Sequence, residues 1–233
     1  MIVPASVLTQ IGIYILYILL PILALYIVYL VVTKAFNDMG FSSAEAILIV
    51  FACFILGYGI LDEFIGISFS NIYLFTHGKW EVGINTGGAI IPIVRSIYLM
   101  VKNKIRLRNF GIGILIVSVI TYLVTEPNAD RGIVSKFPFW ILPAIAASLV
   151  SIFLYWKNKQ KAAPLAYISG TLGVLIGADL FHLIELLNLQ VTTETTRHAV
   201  IGGASVLDMI FITGILAVIV DGILIYQEKR KPG

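Results

Sequence analysis

Two aspartates stand inside apolar runs long enough to cross a bilayer. Asp179 follows Gly177-Ala178 in one run, and Asp208 follows Gly202-Gly203-Ala204-Ser205-Val206-Leu207 in the next. A charged carboxylate at the centre of a membrane helix costs at least ~2.5 to 3.5 kcal/mol, so such a residue is paired, protonated or lining a wet cavity. Asp179 lies eight residues before the end of its run at Leu187, and Asp208 nine after the start of its run at Ala199. At 1.5 Å per residue both sit roughly 12 to 14 Å from the same boundary. Two carboxylates so placed in a low dielectric cannot both ionise easily, and they tend to share a proton. A diaspartyl hydrolase uses this arrangement: one carboxylate activates water while the other protonates the carbonyl or leaving group. The same pair could relay protons or cations, or join two helices by a hydrogen bond.

Around this pair lies a set of residues expected to line or orient a cavity: His182, Asn85, Asp62, Gly177, Gly202 and Gly203. His182, three residues after Asp179, shares its helix face, whereas Glu185 at i+6 is expected to have turned away. Asp179, His182 and Asp208 could together hold a metal through two carboxylates and an imidazole, an alternative the spacing alone leaves open. Otherwise the sequence calls for no metal and no cofactor. Asp62 and Asn85 end one span and begin the next on the same side as the aspartates. Arg95 and Asp221, deeper in their spans, are expected to form a structural pair, or Arg95 to snorkel to the interface.

The elements that must carry these residues follow from composition. Of 233 residues 59% are hydrophobic and 12% charged, against roughly a quarter charged in soluble domains. This is the composition of an integral membrane protein, all-α, a polytopic transmembrane helix bundle. Seven spans are expected, at 11–32, 44–66, 83–101, 111–125, 137–156, 163–187 and 199–226. Together they make residues 1–233 a single membrane domain. The first span reads as retained, because no basic segment and small-residue cleavage site precede it. Of the 16 Lys and Arg, eleven fall on one side: Lys34, Lys102, Lys104, Arg106, Arg108, Lys157, Lys159, Lys161, Lys229, Arg230 and Lys231. Lys79, Arg131, Lys136 and Arg197 fall on the other, and Arg95 lies within a span. The positive-inside rule then puts the N-terminus outside and the C-terminus in the cytoplasm of a multi-pass cell-membrane protein.

Trp80, Trp140, Tyr155, Trp156 and Tyr226 near span ends suit an interfacial belt. The single cysteine, Cys53, in an apolar run, excludes a disulfide within the chain. Gly83-Ile84-Asn85-Thr86-Gly87-Gly88-Ala89 before Pro92 is a polar, glycine-rich start for a membrane helix. It is either unwound or re-entrant, or a surface for close helix packing.

Three segments carry a resemblance. Gly170-Thr171-Leu172-Gly173 through Asp179-Leu180, Ile201-Gly202-Gly203-Ala204 with Asp208 and Ile210 to Ala217, and Asn85-Thr86-Gly87-Gly88-Ala89-Ile90-Ile91-Pro92 resemble an archaeal and bacterial membrane family, domain of unknown function 1614. That likeness covers most of the chain from Gly83 onward and implies no substrate. Met209 stands where a glycine is expected after the second aspartate. Ile176-Gly177-Ala178-Asp179 is more loosely similar to the Gly-x-Gly-Asp motif of intramembrane aspartyl proteases. It departs in Ala178, in the order of the two aspartates and in lacking a Pro-Ala-Leu motif.

The first functional reading is therefore an intramembrane diaspartyl hydrolase of peptide bonds, with Asp179 and Asp208 as its acid and base. The alternatives are a proton- or cation-coupled transporter or channel using the same carboxylates, and a non-catalytic subunit of a membrane complex. Expected partners are the lipid bilayer and a transmembrane peptide or small ion. No nucleic-acid partner is indicated, because the basic residues are explained by topology.

Overall fold

From Lys159 to Leu187 the chain is helical without a break, 29 residues of mean hydropathy 1.6 whose pitch changes near the end. The computed structural model describes residues 5–189, 196–203 and 209–230. In chain order the helices are α1 (Ala5–Asp38), α2 (Ser43–Gly57), α3 (Ile60–Ile65), α4 (Ile91–Lys102), α5 (Leu107–Val124), α6 (Leu142–Leu154), α7 (Ala162–Val174), α8 (Phe181–Leu187) and α9 (Met209–Arg230). The strands are β1 (Asn71–His77), β2 (Trp80–Asn85), β3 (Thr125–Asn128), β4 (Gly132–Ser135) and β5 (Arg197–Ile201). A π-helical turn, Thr86–Ile90, leads into α4, and another, Leu175–Leu180, joins α7 to α8.

Helix α7 is the axis of the bundle. Every residue from Ala162 to Val174 except Leu172 is buried, enclosed by α4, α5, α6 and α9. Its small residues, Ala163, Ala166, Ser169, Gly170 and Gly173, let neighbouring backbones approach closely. In lipid that contact replaces the hydrophobic effect as the source of helix association. Helix α1 behaves differently. From Leu16 to Val31 its described side chains are all exposed, while Val32, Ala35, Phe36 and Met39 near its end join the core. An apolar helix exposed on all sides is suited to lipid and not to water.

Among the described residues three helices are long and apolar enough to cross a membrane: Leu19–Asp38 in α1, α5, and the continuous Lys159–Leu187 helix. Three shorter apolar helices, Ser43–Gly57, Phe139–Leu154 and Met209–Leu224, accompany them. The predicted second span, 44–66, is cut short. Its helix stops at Gly57, and Gly59 and Gly66, with φ of 70° and 73°, bracket the separate α3. The 15 residues of α2 reach about 22 Å, short of a ~30 Å hydrocarbon core.

The all-α expectation also needs correction, because the predicted third and seventh spans both begin as strands. β2 pairs antiparallel with β1 and parallel with β5, giving a three-stranded sheet in the order β1-β2-β5. A separate hairpin joins β3 and β4. Val82, Ile84 and Ile201 are apolar enough to be read as the first turn of the helices that follow. Their backbone groups instead find partners across the sheet, which satisfies them equally well.

The two ends of the bundle differ in charge. Lys102 Nζ reaches the Gly40 carbonyl at 2.9 Å, Lys161 Nζ reaches the Lys104 carbonyl at 3.0 Å, and Tyr155 Oη accepts the Arg106 backbone N–H at 3.0 Å. These contacts gather the end of α1, the α4–α5 turn and the α6–α7 turn, with their lysines and arginines, at one end. Both sheets lie at the other.

Candidate functional site

Asp179 lies within the π turn. A π turn inserts one extra residue into the helix and occurs frequently at functional sites. Gly177 makes the turn fit: a Cβ there would collide with the Ser118 carbonyl oxygen and stand 2.8 Å from Thr121 Cβ on α5. The helix backbones touch at this point, and Asp179, two residues on, lines a cavity.

That cavity is about 620 Å³ and lies between α8, β5 and the β3–β4 turn. Asp179, Leu183 and Leu186 form one wall, Ala129 to Ile133 a second, and Trp80 with β5 a third. The half-buried Asp179 accepts the backbone N–H of Gly202 on Oδ2 at 3.0 Å. Gly202 has a φ of 70°, and a Cβ there would come within 2.7 Å of the Ala89 nitrogen and the Gly88 carbonyl carbon. Only glycine can hold that turn. Ala89, Ala178, Ile201 and Ile210 share one buried cluster, with Ile84 and Met209 packed against it. The three sequence segments singled out above, around Asn85–Pro92, Gly177–Asp179 and Ile201–Gly203, thus converge on Asp179.

Asp208 and Ser205 fall outside the described residues. The residues on either side of that stretch do not: Gly202 touches Asp179, and Met209 and Ile210 pack near Ala178.

The other expected site residues serve different ends. His182 is buried and does not orient Asp179. Its Nδ1 is 3.0 Å from Glu185 Oε2, its Nε2 is 3.2 Å from the Tyr122 carbonyl oxygen, and its ring stacks on Tyr122 at 4.4 Å. Glu185, turned away from Asp179 by its six-residue spacing, is the partner of His182 and is held also by the Tyr122 hydroxyl at 2.9 Å. Both ring nitrogens being engaged, the Asp179–His182–Asp208 ligand set has no imidazole nitrogen to offer a metal in this arrangement. No group of three or more His, Cys, Asp or Glu suited to a metal occurs among the described residues.

Asn85 is buried and fully used. Its Nδ2 donates to the Gly57 carbonyl and to Asn71 Oδ1, both at 2.9 Å, and its Oδ1 accepts the Gly88 N–H at 2.8 Å. It caps the helical start that follows β2. Asp62 binds the Phe69 and Ser70 backbone N–H groups at 2.7 and 3.1 Å and the Ser70 and Ser68 hydroxyls. The Ser70 hydroxyl above all holds the Asp62 carboxyl below the ordinary carboxylate range; desolvation opposes it, and those N–H groups with the Ser68 hydroxyl add to the lowering. Neither residue lines the Asp179 cavity. Gly87 packs against the Cys53 carbonyl oxygen and Gly57 of α2, so it allows close approach of the two segments.

The expected Arg95–Asp221 pair is not formed. The Arg95 guanidinium lies 4.0 Å over the Phe41 ring, while Asp221 is buried beside α1, with Asp38 Oδ2 3.3 Å from where a Gly222 side chain would start.

Arg197, counted at first only as a loop charge, shapes the cavity. Its Nη1 donates to the Ala129 carbonyl at 2.7 Å and its Nη2 pairs with Asp130 at 3.0 Å, tying β5 to the β3–β4 turn. The signal was present in Arg197-His198-Ala199-Val200-Ile201, whose polar start and β-branched end suit a strand.

Residues 62–220 match the model of a protein family described as protein of unknown function (DUF1614). No curated protein and no solved structure matches the chain.

Proposed function

The chain belongs to the DUF1614 family, which supplies kinship and no activity, and on the geometry of Asp179 we propose that it is an intramembrane hydrolase of peptide bonds. Asp179 and Asp208 act as its acid–base pair in a seven-span cell-membrane protein with the N-terminus outside and the C-terminus in the cytoplasm. One observation carries the reading: a carboxylate inside an apolar 29-residue helix opens onto a cavity of about 620 Å³. Burying a carboxylate at that depth is costly unless it is used, and a cavity of that size admits an extended peptide segment. The anchoring of Gly202, Met209 and Ile210 around Asp179 and Ala178 supports the pairing with Asp208. The gathering of lysines and arginines at the end away from the cavity supports the orientation.

In this mechanism the ionised aspartate takes a proton from water as its oxygen attacks the scissile carbonyl carbon. The protonated aspartate hydrogen-bonds to the carbonyl oxygen, and the tetrahedral intermediate collapses. The C–N bond breaks, and the amine leaves with a proton returned by the first aspartate. The test is cleavage of a library of transmembrane peptides by the full chain in proteoliposomes, with products identified by mass. Asp179→Asn and Asp208→Asn should each lower the rate at least ~100-fold. No cleavage by wild type, or cleavage undiminished in both variants, overturns the reading.

A second reading, proton- or cation-coupled transport, is favoured by a different observation. Thr213 Oγ1 and Asp221 Oδ1, both on α9 and buried, have no protein hydrogen-bond partner. Such groups are satisfied by internal water, and they lie beyond Asp179 along the bundle. Loss of pH-driven flux in Asp221→Asn proteoliposomes, with no peptide cleaved, would select this reading.

A further inference from the structure

A second cavity lies at the basic end of the bundle, at the start of α5, which runs about 27 Å from Leu107 to Val124 before β3. This one is about 430 Å³ and lies between the start of α5 and the α6–α7 turn. Arg106, Lys157 and Lys161 line it, with Asn109 at its base, 4% exposed, and Trp156 at its edge. Among the described residues no carboxylate pairs with any of the three cations. Lys161 gives one N–H to the Lys104 carbonyl and keeps two more donors. The N-terminus of the 18-residue α5 opens here without a side-chain cap, so its first N–H groups add unsatisfied donors and the positive end of a helix dipole.

Three cations without a carboxylate partner around one cavity favour an anion there. Its rim shows which kind. Phe153 is 80% exposed and Trp156 58%, and Lys159 Nζ sits 5.2 Å over the Trp156 ring. A free anion gains nothing from such apolar surface, whereas a lipid brings acyl chains to lie against it. Trp at the interface and a basic pocket between helix ends together form a recognition surface for an acidic headgroup. We propose that this cavity binds the phosphate headgroup of an anionic phospholipid, with Arg106, Lys157 and Lys161 on the phosphate oxygens and the acyl chains beside Phe153 and Trp156. The site stands apart from the chemistry at Asp179.

The purified full chain in detergent is titrated with phosphatidylglycerol, phosphatidylcholine or inorganic phosphate, and bound species are counted by native mass spectrometry. Phosphatidylglycerol should be retained about tenfold or more over phosphatidylcholine, with no retention of inorganic phosphate. The triple variant Arg106→Gln, Lys157→Gln, Lys161→Gln should lose that preference. A charge-matched variant, Lys34→Gln, Arg108→Gln, Lys229→Gln, should keep it. Thermal unfolding of both variants shows whether they are folded, and a misfolded triple variant is replaced by Lys157→Gln, which should still lower retention severalfold. Equal retention of both lipids, an unchanged triple variant, equal loss in the control, or phosphate binding as tight as lipid binding would each overturn the assignment.

Discussion

Asp179 Oδ2 and the backbone N–H of Gly202 are joined at 3.0 Å across 23 residues of sequence. The bond ties the π turn of the long helix to the turn after β5, so that the carboxylate at the cavity wall also fixes one of its edges. A buried N–H deprived of its acceptor costs ~1 to 3 kcal/mol. Asp179→Asn keeps an oxygen for Gly202 and should unfold within a few degrees of wild type, whereas Asp179→Leu should lose ~1 to 3 kcal/mol. Thermal unfolding in detergent distinguishes them. Equal melting temperatures for the Leu and Asn variants would show that the bond contributes nothing to stability.

At Gly177 the argument is steric. With the Ser118 carbonyl against it and Thr121 Cβ 2.8 Å from a Cβ that would be added, Gly177→Ala must push α5 away from the π turn. Overpacking of this kind costs ~1 to 3 kcal/mol. Gly111→Ala, where a Cβ meets nothing within 4 Å, should leave stability unchanged or raised. A Gly177→Ala protein as stable as Gly111→Ala would mean that the two helices separate readily there.

How far these relations could be read in advance depended on the physical signal behind each. The apolar runs at 111–125, 137–156 and 163–187 became helices close to their expected limits, because hydropathy over some 20 residues reports burial in lipid directly. The sheet was hidden by the same sum. Val82, Ile84 and Ile201 continue the apolar runs of the helices after them, and only their period distinguishes strand from helix. The depth of Asp179 followed from counting residues, but its bond to Gly202 depends on a turn and a strand that hydropathy does not resolve. The bond between Glu185 and His182 went unread because Glu185 was weighed against Asp179, six residues earlier, and not against His182, three residues earlier. Arg197 was hidden by the positive-inside count, which treats every loop cation alike.

Asp62 gives a pH-dependent prediction outside the spanning helices. The Ser70 hydroxyl first, and the Phe69 and Ser70 N–H groups with it, favour the ionised carboxyl and lower its pKa in the folded chain. A group depressed in this way contributes stability that is complete above its unfolded value, ~3.9, and is lost as pH falls through the folded one. Amide protection at Phe69 and Ser70, corrected for intrinsic exchange, should be level from neutral pH to about 5 and decline below about 4. Asp62→Asn should remove most of that pH dependence. An identical acid decline in the variant would assign it to another group.

The last prediction concerns which way the bundle faces. His198 lines the Asp179 cavity and is exposed, while Lys157 lines the basic cavity and is exposed at the other end. The native Cys53 is buried, so a membrane-impermeant thiol reagent added to intact cells should leave the wild type unlabelled. Eleven of the sixteen Lys and Arg are assigned to the cytoplasmic side, and an excess of that kind sets orientation. His198→Cys should then react from outside the intact cell and Lys157→Cys only after the membrane is opened. The opposite pattern would place the Asp179 cavity in the cytoplasm and the basic cavity outside. A peptide substrate would then have to reach Asp179 from the cytoplasm, and the headgroup site would lie in the outer leaflet, away from the cytoplasmic leaflet's acidic lipids.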